Sequence, residues 1–437
     1  MRIAIIGAGI SGLVVARSLQ SEHDVIVLEA NSYAGGHTHT VDVDLAGESH
    51  AIDTGFIVFN DRTYPQFIRI LTELGVATRP TSMSFSVTDE RSGLEYNGAN
   101  LNTIFAQRRN LLRPSFYRML ADIVRFNKQA RCEPESFDDG LTVGQFLKQF
   151  GYSREFADHY LLPMGAAIWS CPLGKFADFP LRFVTEFYRN HGLLDVWNRP
   201  TWRVIDGGSR NYVDRMISGF RDRVRLNSPV TSVRRLPTDI EVQLCDREPE
   251  RYDHVVFACH SDQALRLLGA DATATERTVL SEFPYERNLA VLHTDSSLLP
   301  RCRRAWASWN YHVSTGEVSS QPVDVTYNMN MLQGIRSRHT FCVTLNARRR
   351  IAPDKILGEY VYHHPVFTVQ RAASQRRHRE LLNQHRTSFC GAYWGNGFHE
   401  DGVNSALAVV AAIRAASPLA DADQARPALA LTGGTDA

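Results

Sequence analysis

The sequence predicts an α/β protein with a parallel sheet at its centre, and three observations in its opening segment carry the prediction. Residues 2–6, RIAII, form a short apolar run rich in β-branched side chains, the pattern of a strand buried on both faces. Gly7-Ala8-Gly9-Ile10-Ser11-Gly12 follows without a break and leads into residues 13–19, which are apolar at helical spacing. A polar turn at 21–24 then gives way to a second β-branched run, 25–28, which ends in Glu29 and Ala30. Strand, glycine turn, helix, strand and acid in that order make a complete β-α-β unit of the Rossmann type.

Each part of the unit has a physical reason. Gly7 permits the tight turn out of the strand, Gly9 lets the backbone approach a pyrophosphate, and Gly12 lets the helix lie close to the sheet. The free N–H groups and positive dipole end of the helix then face the phosphates. Glu29 stands where a carboxylate accepts hydrogen bonds from ribose hydroxyls, which disfavours a 2′-phosphate and hence NADP. The alternative, the apolar core of a secretion signal, fails because the run holds three glycines, meets no small-residue cleavage site and continues into a strand ending in an acid. A dinucleotide site is the reading that remains.

The bulk properties set outer limits. At roughly 100–200 residues per domain, 437 residues suggest two or three domains. A formal net charge of +1 gives no global field toward nucleic acid. The seven cysteines form no CxxC pair, so neither a zinc site nor a dithiol motif is indicated, and a reducing compartment is the simpler setting. No apolar run reaches the roughly 18 residues of a membrane-spanning helix. The expected location is therefore the cytoplasm, with contact on the inner membrane face as a further option.

The segment that follows Glu29 narrows the cofactor. It carries Gly35-Gly36-His37 and then Asp53-Thr54-Gly55-Phe56. Further on come "TWRVIDGGSRNYVDRM" with Gly207-Gly208, "LNSPVTSVRRL" with Val230, and "YDHVVFACHSDQALRLL". Near the C-terminus "GAYWGNGFHEDGVNSALAVVAAI" places Asp401-Gly402-Val403 at the start of an apolar helix. Together these resemble the flavin-containing amine oxidase superfamily. The resemblance implies FAD, with its ADP half on the first motif and its adenine at the backbone of Val230. The Asp53–Phe56 element would lie by the flavin ring, and the last helix would direct its N-terminus at the ribityl and pyrophosphate groups. His37 stands where that family carries arginine, so one cation is replaced by a group with a single hydrogen bond to give.

A closer resemblance rests on eight blocks: "GGHTHTV", "DTGFIVFNDRTYP", "SMSFSV", "FAQRRNLLRPSFYRML", "WASWNY", "VTYNMNMLQGI", "VTLN" and "YHHPVF". These resemble the FAD-binding proteins encoded beside bacterial cyclopropane fatty acid synthases, and the N-terminal portion of plant cyclopropane fatty acid synthases. The resemblance implies a flavin oxidoreductase that desaturates, isomerises or oxidises an unsaturated, methylated or cyclopropane fatty acyl chain, or that partners a lipid methyltransferase. An amine oxidase proper is the competing enzyme class, and a non-catalytic FAD-bound partner is the third reading.

The expected organisation is a discontinuous FAD domain from 1–60, 202–260 and 388–417. An α+β substrate domain is inserted as 61–201 and 261–387, and a disordered tail follows at 418–437. In the insertions Asn310, Tyr327 and His363 join aromatic or imidazole groups to neutral hydrogen-bonding ones, and His399 precedes the last helix, so these four are the candidate catalytic residues. Glu400 or Asp401 is read as catalytic or as a cap of that helix. His363 and His364 point to opposite faces of a strand, so no metal site is expected there. Residues 112–128 read as an amphipathic helix with a stripe of Phe116, Leu120, Ile123 and Val124. Its charged face carries Arg113, Arg118, Arg125 and Lys128, set toward solvent or an anionic membrane.

Overall fold

The computed structural model of the chain describes residues 1–132, 137, 140–195, 199–313, 323–347 and 349–416. The tail expected at 418–437 lies outside the described residues. Five strands form a parallel sheet in the order Val224–Arg225, Asp24–Leu28, Arg2–Ile6, His254–Phe257, Thr387–Phe389. The sheet thus draws on three separated stretches of chain. The opening strand lies in the middle, and its Ile3, Ala4 and Ile5 are fully buried, as an apolar run covered on both faces requires.

Two helices position the nucleotide end of this sheet. The first, Ile10–Leu19, leaves the carboxyl end of the opening strand, and the last, His399–Ala415, packs along it. Their close approach depends on Gly402, where a Cβ would come within 2.9 Å of Ile10 and of the Ser11 hydroxyl. The Ser11 Oγ donates to the Gly402 carbonyl at 3.0 Å and fastens the pair.

The two insertions meet in one seven-stranded sheet. Its order is Ile356–Pro365, Tyr285–His293, Cys342–Leu345, Val325–Asn328, Trp309–Val313, Phe85–Asp89, Leu94–Asn97. Every pairing is antiparallel except that of Trp309–Val313 with Phe85–Asp89, which joins the first insertion to the second.

A helical layer closes over an aromatic core that includes Phe126, Phe146, Phe156, Trp169 and Phe187. Its longest member runs Pro114–Cys132 rather than from Leu112, because proline favours the first helical position and a short 3₁₀ turn, Arg108–Leu112, precedes it. Phe116, Met119 and Phe126 face the core, with Leu120 and Ile123 packed beside them. Val124 does not belong to that stripe: it is 69% exposed, on the opposite face with Tyr117 and Lys128. Among the described residues, no helix is long and apolar enough to cross a membrane.

Candidate functional site

The glycine turn builds a phosphate cradle from close backbone packing. Gly7 N–H donates to the Leu28 carbonyl at 2.8 Å, which ties the turn to the second strand. At Gly12 a Cβ would sit 2.0 Å from the Gly7 carbonyl oxygen, so the helix can start this close only without a side chain there. Gly9 is the opposite case. Its backbone is extended (φ −74°, ψ 178°), and a Cβ on it would meet nothing within 4 Å. The helix behind it has no side-chain cap, so its first N–H groups face that open space.

Glu29 is held for its task by two backbone donors. Ala8 N–H meets one carboxylate oxygen at 2.8 Å and Asn31 N–H the other at 2.9 Å. Ser228 N–H donates to the Glu29 carbonyl at 2.8 Å, which brings the start of the Val230–Arg235 strand beside the acid. Ala30 is exposed at the rim.

Gly36 packs against the Cα of Gly9, and Gly35 N–H donates to the Ala8 carbonyl at 2.8 Å. The His37 carbonyl accepts from Phe56 N–H at 2.7 Å, so the 53–56 turn and the 35–38 turn form one wall. Asp53 supports that wall from inside. It is fully buried and accepts from the Thr40 and Ser209 hydroxyls at 2.6 and 2.7 Å and from the Ser209 N–H at 2.9 Å. Burial raises its carboxyl to about 6 against the pull of these donors.

The last helix closes the same end. Asp401 accepts from Phe398 N–H at 2.9 Å and caps its own helix, while burial raises its carboxyl to about 6. Glu400 serves another element: its two oxygens accept from Gln66 and Phe67 N–H at 3.0 and 2.9 Å, at the start of the helix Pro65–Glu73. Val403 is fully buried between the helices and the sheet. His399 stacks on Phe56 at 3.5 Å between ring centroids. Its Nε2 meets the Thr38 and Tyr212 hydroxyls at 3.0 and 3.1 Å, and burial pushes its imidazole down to about 3. His399 therefore fixes the wall as a neutral ring.

Beyond this wall a cluster of uncharged rings gathers around His37. Tyr362, His364 and His260 lie 5.3, 5.4 and 6.2 Å from it between centroids, and His260 stacks on Tyr285 at 4.3 Å. Burial lowers His37 to about 4 and His260 and His364 to about 3, with the neighbouring imidazoles adding to the effect on His260 and His364. A hydrogen bond to the His363 backbone partly offsets the burial at His37. Alongside, the His39 Nδ1 meets the Thr54 hydroxyl and the Tyr362 hydroxyl, both at 3.1 Å, and these two hydroxyls meet each other at 2.7 Å.

The four candidate catalytic residues do not form one constellation. Asn310 has all its hydrogen-bonding capacity taken within the sheet. Its oxygen accepts from the Ser86 hydroxyl at 2.8 Å and Ala307 N–H at 2.9 Å, and its amide nitrogen donates to the Ala307 and Thr326 carbonyls at 2.7 and 3.0 Å. It is a lock on the parallel strand pair, which replaces the catalytic expectation. Tyr327 is buried with its ring edge-on to Trp309 at 4.9 Å and its hydroxyl bonded to Ser170. His363 reaches the cluster through its backbone and through an edge-on approach to His260 at 6.1 Å, while its side chain is exposed.

Sequence reasoning missed His260, His39 and Arg371. His260 follows the strand His254–Phe257, and the carboxyl end of a parallel strand is where such sites form, so its position was a usable signal. Arg371 gave none, since it sits among many arginines. It is 1% exposed and donates to the Val366, Tyr393 and Gly395 carbonyls. Together with Gln375, which reaches the same Tyr393 and Gly395 carbonyls, it holds the loop in front of the last helix.

The residues present fit FAD. The space at Gly9 and the uncapped helix behind it suit a pyrophosphate, Glu29 is poised for a ribose, and the shielded His37 Nε2 has no hydrogen-bond partner among the described residues. A parallel sheet with this turn, this acid and a second helix aimed at the same end defines a dinucleotide-binding protein. The chain belongs to the flavin-containing amine oxidoreductase family, whose sequence model matches residues 10–284, more than half of its length.

Amine oxidase [flavin-containing] A of Canis lupus familiaris is 26% identical over 264 residues, covering 59% of this chain and 49% of the relative. The same enzyme of Bos taurus is 26% identical over 266 residues, with the same coverage. The chain spans about half the length of the curated relatives it matches. Among solved structures, cyclohexylamine oxidase from Brevibacterium oxydans IH-35A superposes with a TM-score of 0.66 at 17% identity, covering 94% of this chain and 98% of that one. A CLA-producing fatty acid isomerase from P. acnes superposes at 0.65 and 16% identity, with the same coverage. These two likenesses show a shared fold.

Proposed function

We propose that the chain takes hydride from an unsaturated, methylated or cyclopropane-bearing fatty acyl chain, with desaturation, isomerisation or oxidation as the net result. The carrying observation is the uncharged ring cluster around His37. At neutral pH its imidazoles are unprotonated, and burial holds the Tyr362 and Tyr285 phenols protonated. Such a wall offers no counter-charge to an ammonium or a carboxylate and suits an alkyl segment. Bound FAD supplies the hydride acceptor. The chain supplies the proton path: the His39 imidazole, neutral and bonded to Tyr362 and Thr54, accepts a proton from the adjacent substrate carbon in desaturation, and an isomer forms only when both that proton and the hydride return to the acyl chain. The eight sequence blocks that resemble the FAD-binding proteins encoded beside cyclopropane fatty acid synthases support this reading, and an isomerase of fatty acids on the same fold is compatible with it.

The family match favours a second reading, oxidation of a neutral amine. A third is a catalytically silent partner of a lipid methyltransferase. One experiment separates the three. The yellow protein is mixed anaerobically with unmodified, methylated and cyclopropanated phospholipids and with amines, and flavin absorbance is followed. Bleaching by acyl lipid is expected, slowed about a hundredfold in Tyr362→Phe if the proton path is as described. Bleaching by amines alone overturns the acyl reading. No bleaching by any compound, with tight binding to the methyltransferase, points to the silent partner.

A further inference from the structure

Large apolar side chains are seldom left in water in clusters, and in this chain they are. Leu101, Leu111, Leu112, Tyr117 and Val124 are exposed by 76, 46, 87, 47 and 69%. Elsewhere among the described residues only Met1, Leu226 and Val361 are large, apolar and exposed. The five belong to one continuous feature: the short helix Leu101–Ile104, the 3₁₀ turn Arg108–Leu112 and the outer face of Pro114–Cys132. Hydrogen bonds join its parts. Arg108 reaches Asn102 at 2.6 Å and the Phe105 carbonyl at 2.8 Å, and the Tyr117 hydroxyl donates to the Leu111 carbonyl at 3.1 Å. Val124 stands about 10 Å further along the helix from Tyr117, at 1.5 Å per residue.

The feature is a rigid platform rather than loosely packed core. Ile104, Phe105, Phe116 and Met119 pack inward on the seven-stranded sheet, so the exposed leucines have no inward place to take. The charge around them has one sign. From 101 to 128 the chain carries Arg108, Arg109, Arg113, Arg118, Arg125 and Lys128 against a single acid, Asp122. Arg118 pairs with Glu155 and Arg125 with Asp122. Arg108, Arg109 and Arg113 form no ion pair among the described residues, and their guanidinium groups donate to backbone carbonyls and to neutral side chains. Their charge is left for a partner.

We infer that this face docks on an anionic phospholipid bilayer, with Leu101, Leu111 and Leu112 inserted among the acyl chains and the arginines on the lipid phosphates. Two observations select that occupant. A second copy would set one basic face against another across a two-fold axis, which charge repulsion opposes. Exposed leucines interleaved in sequence with arginines, with Tyr117 bonded to Leu111 beside them, suit a membrane interface, apolar below and phosphate above. The inference stands apart from the choice of substrate, since an amine oxidase docked on a membrane would show the same face.

The test is co-sedimentation of the full flavin-loaded chain with vesicles of phosphatidylcholine alone or mixed with phosphatidylglycerol. Binding is expected only to the mixed vesicles, and it weakens with added salt. Leu112→Ser lowers the partition by about tenfold or more. Arg108→Ala with Arg109→Ala lowers it by about 25-fold, at roughly fivefold per cation near the surface. The corresponding double lysine variant keeps binding, and Leu226→Ser, elsewhere on the molecule, leaves it unchanged. No binding to anionic vesicles overturns the inference, as does equal binding by all variants. A dimer in sedimentation velocity that Leu112→Ser dissolves also overturns it, in favour of a second copy.

Discussion

Gly9 and Gly12 are three positions apart and place opposite demands on a side chain. At Gly12 the space belongs to the protein: a methyl group would lie 2.0 Å from a backbone oxygen that cannot move aside. At Gly9 the space is open and the backbone is in a region any residue adopts, so only a bound cofactor would oppose a side chain. The two substitutions therefore separate folding from binding. Gly9→Val is expected to fold with the urea midpoint of the flavin-free wild-type chain and to lose its yellow colour. Gly12→Ala is expected to lose stability by about 1–3 kcal/mol or more through overpacking. A Gly9→Val protein that keeps a full complement of flavin would show that the phosphates lie elsewhere. His37 belongs to the same scale. Its shielded Nε2 has no hydrogen-bond partner among the described residues, and bound FAD would offer it one.

At the scale of elements, the last helix organises more than its own end. The helix Pro65–Glu73 begins with proline after Tyr64, and Tyr64 provides no side-chain cap, so the N–H groups of Gln66 and Phe67 need an acceptor from elsewhere. Glu400 supplies it across 333 residues of sequence, with its charge at the positive end of that helix. Glu400→Ala is expected to cost about 1–3 kcal/mol, the loss of a cap plus two buried donors left unmatched, and Glu400→Gln about half as much. Urea unfolding of each variant reads the difference; a midpoint unchanged in Glu400→Ala would show that water replaces the carboxylate freely. The same residue marks where sequence reading stopped. The β-α-β unit was legible because its strand, turn, helix and acid lie within one short stretch. Glu400 was correctly suspected as a cap but of the wrong helix, since nothing local names a partner so far away. Asn310 looked like chemistry because a polar residue beside aromatics reads alike in a site and in a sheet lock. Arg371 was hidden among arginines that all look exposed until the fold buries one.

At the scale of the whole molecule, buried neutral histidines tie stability to pH. His191, His254, His293 and His399 are all at most 9% exposed, and burial lowers each to about 3 or 4. The bonds at His293 show the neutral form directly. Its Nδ1 accepts from Asp295 N–H at 3.0 Å, which leaves Nε2 to donate to the Thr344 hydroxyl at 2.7 Å. A group whose folded value is depressed gives stability that is present above its unfolded value, about 6.5, and is lost as the pH falls below it. Asp53 and Asp401 act in the opposite sense. Raised to about 6 in the fold, they favour the folded state as the pH falls. Between about pH 6 and pH 4 these imidazoles, with His37, His260, His364 and His378 lowered in the same way, gain protons on unfolding and outnumber the two carboxyls that lose them. Stability should then fall with the pH across that window, by about 1.4 kcal/mol per pH unit for each proton of net uptake. Urea titrations at stepped pH values between 7 and 4.5 measure the slope, and His293→Gln should reduce it by one proton. A stability that stays level or rises over that range would mean that these imidazoles are charged in the folded chain.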